Sequence, residues 1–251
     1  MPFDPIAHYY DIDDGRLTDD IPLYVGFAHK TGGPVLDLGV GSGRLAIPVA
    51  LSGYRVVGVD SSEQMLALAR QRAQDAGLED SITLIRADFR FLQMDESFPL
   101  IYCGYNAFLH LVESHEQVTA LENWRRLLRP GGLLVMDIEN PQLEALAALS
   151  AELEEEERLQ DPLTDEVIVK YTAADVDLPD QILYLTRVYE RSQADGNGLQ
   201  HRADFAVRIL FQRELALLLR CAGYGDLRFY GDYQLNPWEP GSPRLIAVAG
   251  V

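Results

Sequence analysis

The segment Val35-Leu36-Asp37-Leu38-Gly39-Val40-Gly41-Ser42-Gly43 places glycines at alternate positions behind a short apolar run, and a second apolar run ends on Asp60. Such a run predicts a buried strand that breaks into a tight turn and then a helix. With no side chain in the way, glycine backbone can turn sharply and touch a ligand. A carboxylate at the tip of the neighbouring strand is placed to accept hydrogen bonds from a ribose diol. The combination predicts a nucleoside-containing cofactor lying across the carboxyl ends of parallel strands.

The spacing narrows the cofactor. Dinucleotide sites use G-x-G-x-x-G and seat a pyrophosphate on the following helix. Here the glycines run G-x-G-x-G with Asp37 ahead of them, and Arg44-Leu45 stands where a phosphate-cradling loop needs Lys and Ser or Thr. An acid before the turn suits a ligand that carries positive charge and no phosphate.

The acceptor follows from geometry, because ligands of open α/β sheets sit outside the carboxyl ends of the strands. The segments that leave those ends carry Tyr105, Asn106 and His110 after the fourth strand, Glu139 after the fifth, and Tyr230, Tyr233 and Trp238 around the sixth. His110 is the natural proton acceptor, since an unperturbed imidazole titrates near ~6.5. Asn106 can orient an acceptor or touch the cofactor, and Tyr105 stands beside it. Glu139, Tyr230, Tyr233 and Trp238 make the expected acceptor pocket.

Composition bounds the partners. The 251 residues are 47% hydrophobic and 24% charged, ample for one α/β core with an insertion. A formal net charge of −18 argues against a nucleic-acid acceptor, which needs a basic footprint. The acidic run 152–157 reads as a solvated helix face. No apolar stretch approaches the ~20 residues of a membrane span, and the first residues lack the basic and apolar pattern of a secretory signal. Cys103 and Cys221 fit no metal spacing and no disulfide framework, so no metal is expected. The reading is a cytoplasmic protein with free thiols.

The elements that must position these residues follow from periodicity and breakers. Residues 1–33 form an N-terminal helical segment with a helix from about Asp20. From Pro34 the pattern alternates strand and helix, with strands at 35–38, 54–59, 82–85, 100–103 and 133–138. Helices are expected at 43–51, at 63–76 capped by Ser61 or Ser62, and at 116–128 ending on Arg129-Pro130-Gly131-Gly132. After Pro141 the alternation stops. Residues 142–159 read as one helix, followed by β-rich segments at 167–174, 182–190 and 203–210, with a hairpin turn at 194–198. A helix at 214–222 and strands at 226–230 and 244–249 end the chain. The expected division is a core of 34–141 and 211–251 with a β-rich insertion at 142–210.

In this order, the D-x-G-x-G-x-G turn, Asp60, Asp88 after the third strand, and Leu127-Leu128-Arg129-Pro130-Gly131-Gly132 resemble the class I S-adenosylmethionine-dependent methyltransferases. The resemblance covers about residues 34–140 and 211–251. It implies a doubly wound seven-stranded Rossmann-like sheet with its last strand antiparallel. It also implies S-adenosylmethionine as cofactor, with Asp37, Gly39, Gly41, Gly43, Asp60 and Ser61 around it. By the same resemblance Met65 would pack on the adenine and Asp88 would accept from its amine, with Phe89 as an apolar wall. Tyr10 would close over the cofactor. The lead-in Tyr9-Tyr10-Asp11 and the insertion after the fifth strand resemble the branch that acts on small molecules such as amino sugars and amines.

Methyl transfer from a sulfonium asks the protein mainly to align an acceptor and exclude water. The expected activity is therefore methyl transfer to nitrogen or oxygen of a small molecule, a protein acceptor being the variant of that reading. Two other classes stay open on the residues alone: a nicotinamide-dependent oxidoreductase, and a non-catalytic S-adenosylmethionine-binding subunit. Because residues 142–210 leave and rejoin the sheet near the cofactor edge, they are expected to cover the acceptor as a lid or to join two copies as a homodimer.

Overall fold

Every residue of strand β1, Val35–Leu38, is buried, and such a strand needs a neighbour on each edge and a layer on each face. The computed structural model, which describes residues 3–192 and 198–251, supplies both. β1 pairs in parallel with β2, Val56–Asp60, on one side and with β4, Phe98–Cys103, on the other. With β3 (Ile82–Arg86), β5 (Leu128–Glu139), β10 (Leu227–Tyr230) and β11 (Arg244–Gly250) the sheet runs β10-β11-β5-β4-β1-β2-β3. β11 is antiparallel to both β5 and β10. The direction of winding reverses between β1 and β4, and a crevice opens at the carboxyl ends of such a pair.

Helices cover both faces. Leu23, Tyr24 and Phe27 of α2 (Ile21–Thr31) join Ala46 and Val49 of α3 (Ala46–Leu51) and Leu66 of α4 (Glu63–Asp75) on one side. Leu121 and Trp124 of α5 (Ser114–Leu127) and Leu215 and Leu219 of α7 (Gln212–Cys221) cover the other. Ser62 caps α4 by accepting from the Met65 N–H at 3.1 Å. The Arg129–Gly132 break lies inside β5, where the pairing to β4 shifts register between Phe98 and Leu100, and Gly131 adopts φ +77°.

The segment after β5 departs from expectation. In place of one helix over 142–159 there is a short α6, Leu143–Ala147, and then strand β6, Glu154–Gln160. The glutamates that read as a helix face lie on a sheet edge, where charge discourages pairing with other chains. Their partners are tertiary: Lys170 and Thr172 hold Glu156, and Arg16 holds Glu157. Such pairings override local helix preference. β6 opens a second, antiparallel sheet with β7 (Val167–Asp177), β8 (Ile182–Ser192) and β9 (Gly198–Arg208), in the order β6-β7-β8-β9. β8 and β9 pair as the expected hairpin, while most of its turn, 193–197, lies outside the described residues. Among the described residues no helix is long and apolar enough to cross a membrane.

The N-terminal segment, including α1 (Ala7–Asp13), is strapped between the two sheets. Ile6 and Tyr9 pack with Leu159, Ile168, Tyr189 and Ala203 of the second sheet. Asp13 receives Lys170 at 2.7 Å and the Tyr189 hydroxyl at 2.9 Å, and Asp161 takes Arg191 at 2.7 Å with His8 at 3.0 Å. Toward the core, Asp11 takes Arg72 at 2.8 Å, and buried Asp20 receives Arg44 through both oxygens at 2.6 and 2.7 Å. Removing one member of a buried pair leaves the other charge uncompensated. Arg44→Met is therefore expected to cost about 3–5 kcal/mol in urea unfolding. Replacing Asp20 by Leu in the same chain should recover most of that loss, and a single variant as stable as the parent would contradict the pairing.

Candidate active site

A cavity of about 490 Å³ opens where β1 and β4 part. Its floor is the glycine turn. Gly39, Gly41 and Gly43 all adopt positive φ, at +78°, +54° and +82°. A Cβ on Gly39 would stand 2.8 Å from that of Ala107, whereas a Cβ on Gly41 would meet nothing nearer than 4.0 Å. Gly41 thus leaves its Cα bordering open space. Gly43 packs toward Ala69 and lines a separate shallow groove behind the turn.

Asp60 ties the turn to the next strand. One carboxylate oxygen accepts from the Gly41 N–H at 2.9 Å and the other from the Ser62 N–H at 2.8 Å. Burial raises its pKa, and those amide donors oppose the rise. A carboxylate has about four acceptor positions, so Asp60 keeps capacity for two hydroxyls. Asp37 sits deeper, 2% exposed, with Oδ2 lacking any hydrogen-bond partner among the described residues. Burial pushes its pKa up to about 8. The hydroxyls of Tyr24 and Tyr102 are among the other buried atoms without a hydrogen-bond partner, and Tyr102, which pairs with Asp37 across β1 and β4, lies close enough to oppose the rise in the Asp37 pKa. A buried acid with an orphan oxygen is a place for a cationic group.

Ser61, Met65, Asp88 and Phe89 complete this side of the wall. Asp88 is held by Arg90, whose Nε lies 3.0 and 2.9 Å from its two oxygens, while Arg90 also reaches Glu116. Burial raises the Asp88 pKa, yet Arg90 and its backbone N–H keep it below the ordinary range. Trp124 donates to the Phe89 carbonyl at 2.9 Å, which fixes this loop on α5.

The opposite wall comes from the loop after β4, the N-terminal strap and β9. Tyr105 and Asn106 follow β4 in left-handed conformations, φ 45° and 67°, a strain that usually persists only where surrounding contacts enforce it. The Tyr105 hydroxyl donates to Asp14 at 2.8 Å, and its ring lies under Arg44. His110 faces the cavity between the rings of Phe3 and Phe205, at 5.2 and 5.8 Å. Its imidazole makes no hydrogen bond among the described residues, and burial, aided by Arg187, lowers its pKa to about 4. It is therefore neutral at physiological pH. Tyr10 borders the same space.

Of the residues expected around the ligand, Tyr10, Asp37, Gly39, Gly41, Asp60, Ser61, Met65, Asp88, Phe89, Tyr105 and His110 line one cavity. Asn106 lies just behind it, its Oδ1 accepting from the Glu139 N–H at 2.6 Å and from Arg244 at 3.1 Å. The structure does not bring the expected acceptor aromatics there. Tyr233 donates to buried Asp137 at 3.3 Å, and Trp238 to Asn140 at 3.2 Å. Tyr230 pairs with Pro237 at the sheet edge, and Glu139 is exposed. In their place stand Phe3, Asp204, Phe205 and Ala206. Alternation along β9, with Ala203 buried and Phe205 and Val207 half-buried, was the available signal for an inward face. The part of the insertion that reaches the cavity is β9, through Asp204, Phe205 and Ala206. Among the described residues no group of three or more His, Cys, Asp or Glu side chains is placed to share a metal.

Residues 35–132 match the model of a family described as a methyltransferase domain. Over 110 residues the chain is 34% identical to a cypemycin N-terminal methyltransferase of a Streptomyces species, covering 44% of this chain and 43% of that protein. It is 28% identical over 209 residues to a glycine/sarcosine N-methyltransferase of Parasynechococcus marenigrum, covering 82% and 68%. The chain thus spans less than half the length of the first relative and about two thirds of the second. The CcbJ methyltransferase from Streptomyces caelestis has the same fold, with TM-score 0.77, 24% identity and coverage of 94% and 97%.

The state of Asp37 has a measurable consequence. The native protein keeps a proton there that the unfolded chain releases above its ordinary 3.8, so stability falls as pH rises from 3.8 towards 8. Asp37→Asn removes that loss. Without added ligand, it is expected to raise stability above about pH 8 by on the order of 1–3 kcal/mol, and to change it little near pH 4. Thermal melts at both pH values read this, and an equal effect at the two would contradict it.

Proposed function

We propose that this chain, which belongs to the class I S-adenosylmethionine-dependent methyltransferase family, transfers a methyl group to the nitrogen of a small amine. The observation that carries this reading is one cavity with two unlike walls. On one side are the glycine turn, Asp60 and the orphan oxygen of Asp37; on the other is a neutral, unpaired His110. One of these relatives is named as an N-methyltransferase of glycine and sarcosine and another for methylation at an N-terminus, which favours nitrogen over oxygen.

The residues fit the cofactor. Asp60 would take its ribose hydroxyls, and the open face of Gly41 would let it lie against the backbone. Asp88 and Phe89 would meet the adenine, Met65 would pack beside it, and Asp37 would face the ammonium of the amino-acid end. When bound, S-adenosylmethionine supplies an electrophilic methyl on a sulfonium, and attack by nitrogen forms the N–C bond while the S–C electron pair returns to sulfur.

The chain's own part is positioning and exclusion of water. An amine in neutral water is mostly protonated and has no lone pair to offer until that proton leaves to solvent. The uncharged His110 imidazole at the cavity wall then accepts a hydrogen bond from the neutral amine N–H and orients its lone pair, without itself holding the proton. Residues of the strap and of β9 wall one side of the cavity, which limits the access of bulk solvent to the reacting groups. Tyr105, held by Asp14, and Asn106, held by Arg244 and the Glu139 N–H, make the loop beside His110 rigid.

Formation of S-adenosylhomocysteine with a panel of primary and secondary amines tests the activity, and transfer to phenols alone would overturn the choice of nitrogen. Asp60→Ala is expected to weaken S-adenosylhomocysteine by about 1.5–3 kcal/mol in calorimetry, the loss of acceptors for two hydroxyls. Unchanged affinity in the folded variant would contradict the role of Asp60.

A further inference from the structure

The wall facing the cofactor side is built of rings. Phe3 touches Tyr10, His110 and Phe205, with centroids 5.3, 5.2 and 5.3 Å away. Phe3 and Tyr10 come from the strap, His110 from the loop after β4, and Phe205 from the second sheet, so this wall exists only when all three elements are docked. Among the described residues, each cation around the cavity is already matched. Arg44 is engaged by both oxygens of Asp20, and Arg90 by Asp88 and Glu116. Arg187 stands over the Phe205 ring at 5.7 Å with its charge taken by Asp14 at 2.9 Å. At the rim Asp204 adds a further carboxylate.

From this arrangement we propose that the acceptor is an amine with an apolar or ring-bearing body and no carboxylate beside the nitrogen, held by Phe3, Tyr10, His110 and Phe205. The inference rests on the methyltransferase reading above and narrows it. A carboxylate buried here would exchange water for aromatic faces and find no uncommitted cation, a costly transfer. An ammonium or a methylated ammonium gains from the same faces, because their π-clouds attract cations. The body of the acceptor gains from ring stacking and burial. This chain would therefore differ in acceptor from the relative named for glycine and sarcosine, despite the sequence similarity.

Matched pairs that differ only in the carboxylate test this. Phenethylamine against phenylalanine, and methylamine against glycine, are titrated into protein saturated with S-adenosylhomocysteine, and each is assayed for methyl transfer. The amine without carboxylate is expected to bind and turn over at least about tenfold better in each pair, since an unmatched buried charge discriminates at that level or above. Phe205→Ala should raise KM for phenethylamine about tenfold, with kcat and S-adenosylhomocysteine affinity little changed, as expected when an aromatic anchor is lost. Equal or better use of the amino acids would overturn the proposal, as would a Phe205→Ala variant with unaltered KM. Cofactor binding without transfer to either member of any pair would also overturn it, while leaving the cofactor site intact. Failure to bind S-adenosylhomocysteine would instead remove the reading on which it rests.

Discussion

The site depends on the carboxylate of Asp14. One oxygen accepts from Tyr105 of the loop after β4, and the other pairs with Arg187 of the second sheet. Asp14 itself belongs to neither, since it follows α1 in the N-terminal strap. A single 8%-exposed acid therefore ties together three parts of the chain that are remote in sequence. The neighbouring acids repeat the arrangement, Asp13 with Lys170, Asp11 with Arg72 and Asp20 with Arg44. Buried acids of this kind are stable only when each meets a cation or donor, so the strap is held in a register in which each of these acids meets one. That register sets Phe3 and Tyr10 against the cavity.

Electrostatics inside the cavity follow from the same economy of partners. The strap and the loops consume the cations, and the two acids left facing the floor are Asp37 and Asp60. Asp60 is satisfied by backbone amides, and Asp37 is not. The floor is thus suited to positive charge and hydroxyls, the opposite of a phosphate site, where backbone N–H groups and basic side chains converge. A chain of net charge −18 nevertheless keeps His110 neutral, because burial and Arg187 outweigh the general excess of acid.

The doubly wound sheet was legible because its evidence is local and periodic. Val35–Leu38 followed by the glycine turn, and the second run ending on Asp60, announce strand, turn and helix within a few residues. The glycine turn and the acids that border the cavity beside it were legible for the same reason. The insertion was harder. Residues 154–157 carry strong helix formers, and only pairing with β7 and partners such as Lys170 and Arg16 draws them into a strand. The acceptor wall was least legible. Tyr230, Tyr233 and Trp238 sit in or beside an aromatic-rich loop at the right end of the sheet, yet Tyr233 turns to Asp137, Trp238 to Asn140, and Tyr230 pairs with Pro237 at the sheet edge. Phe3 and Phe205 carry no motif, and only the docking of the strap and the second sheet brings them together.

The most direct test of the account is a crystal structure of the full chain grown with S-adenosylhomocysteine. The account expects the ribose hydroxyls on the Asp60 carboxylate, the adenine between Met65 and the Asp88–Phe89 loop, and the amino-acid end toward Asp37. The sulfur should face the space bounded by His110, Phe3 and Phe205. A nucleoside bound elsewhere, or one bound in this cavity with its sulfur turned away from His110, would contradict it.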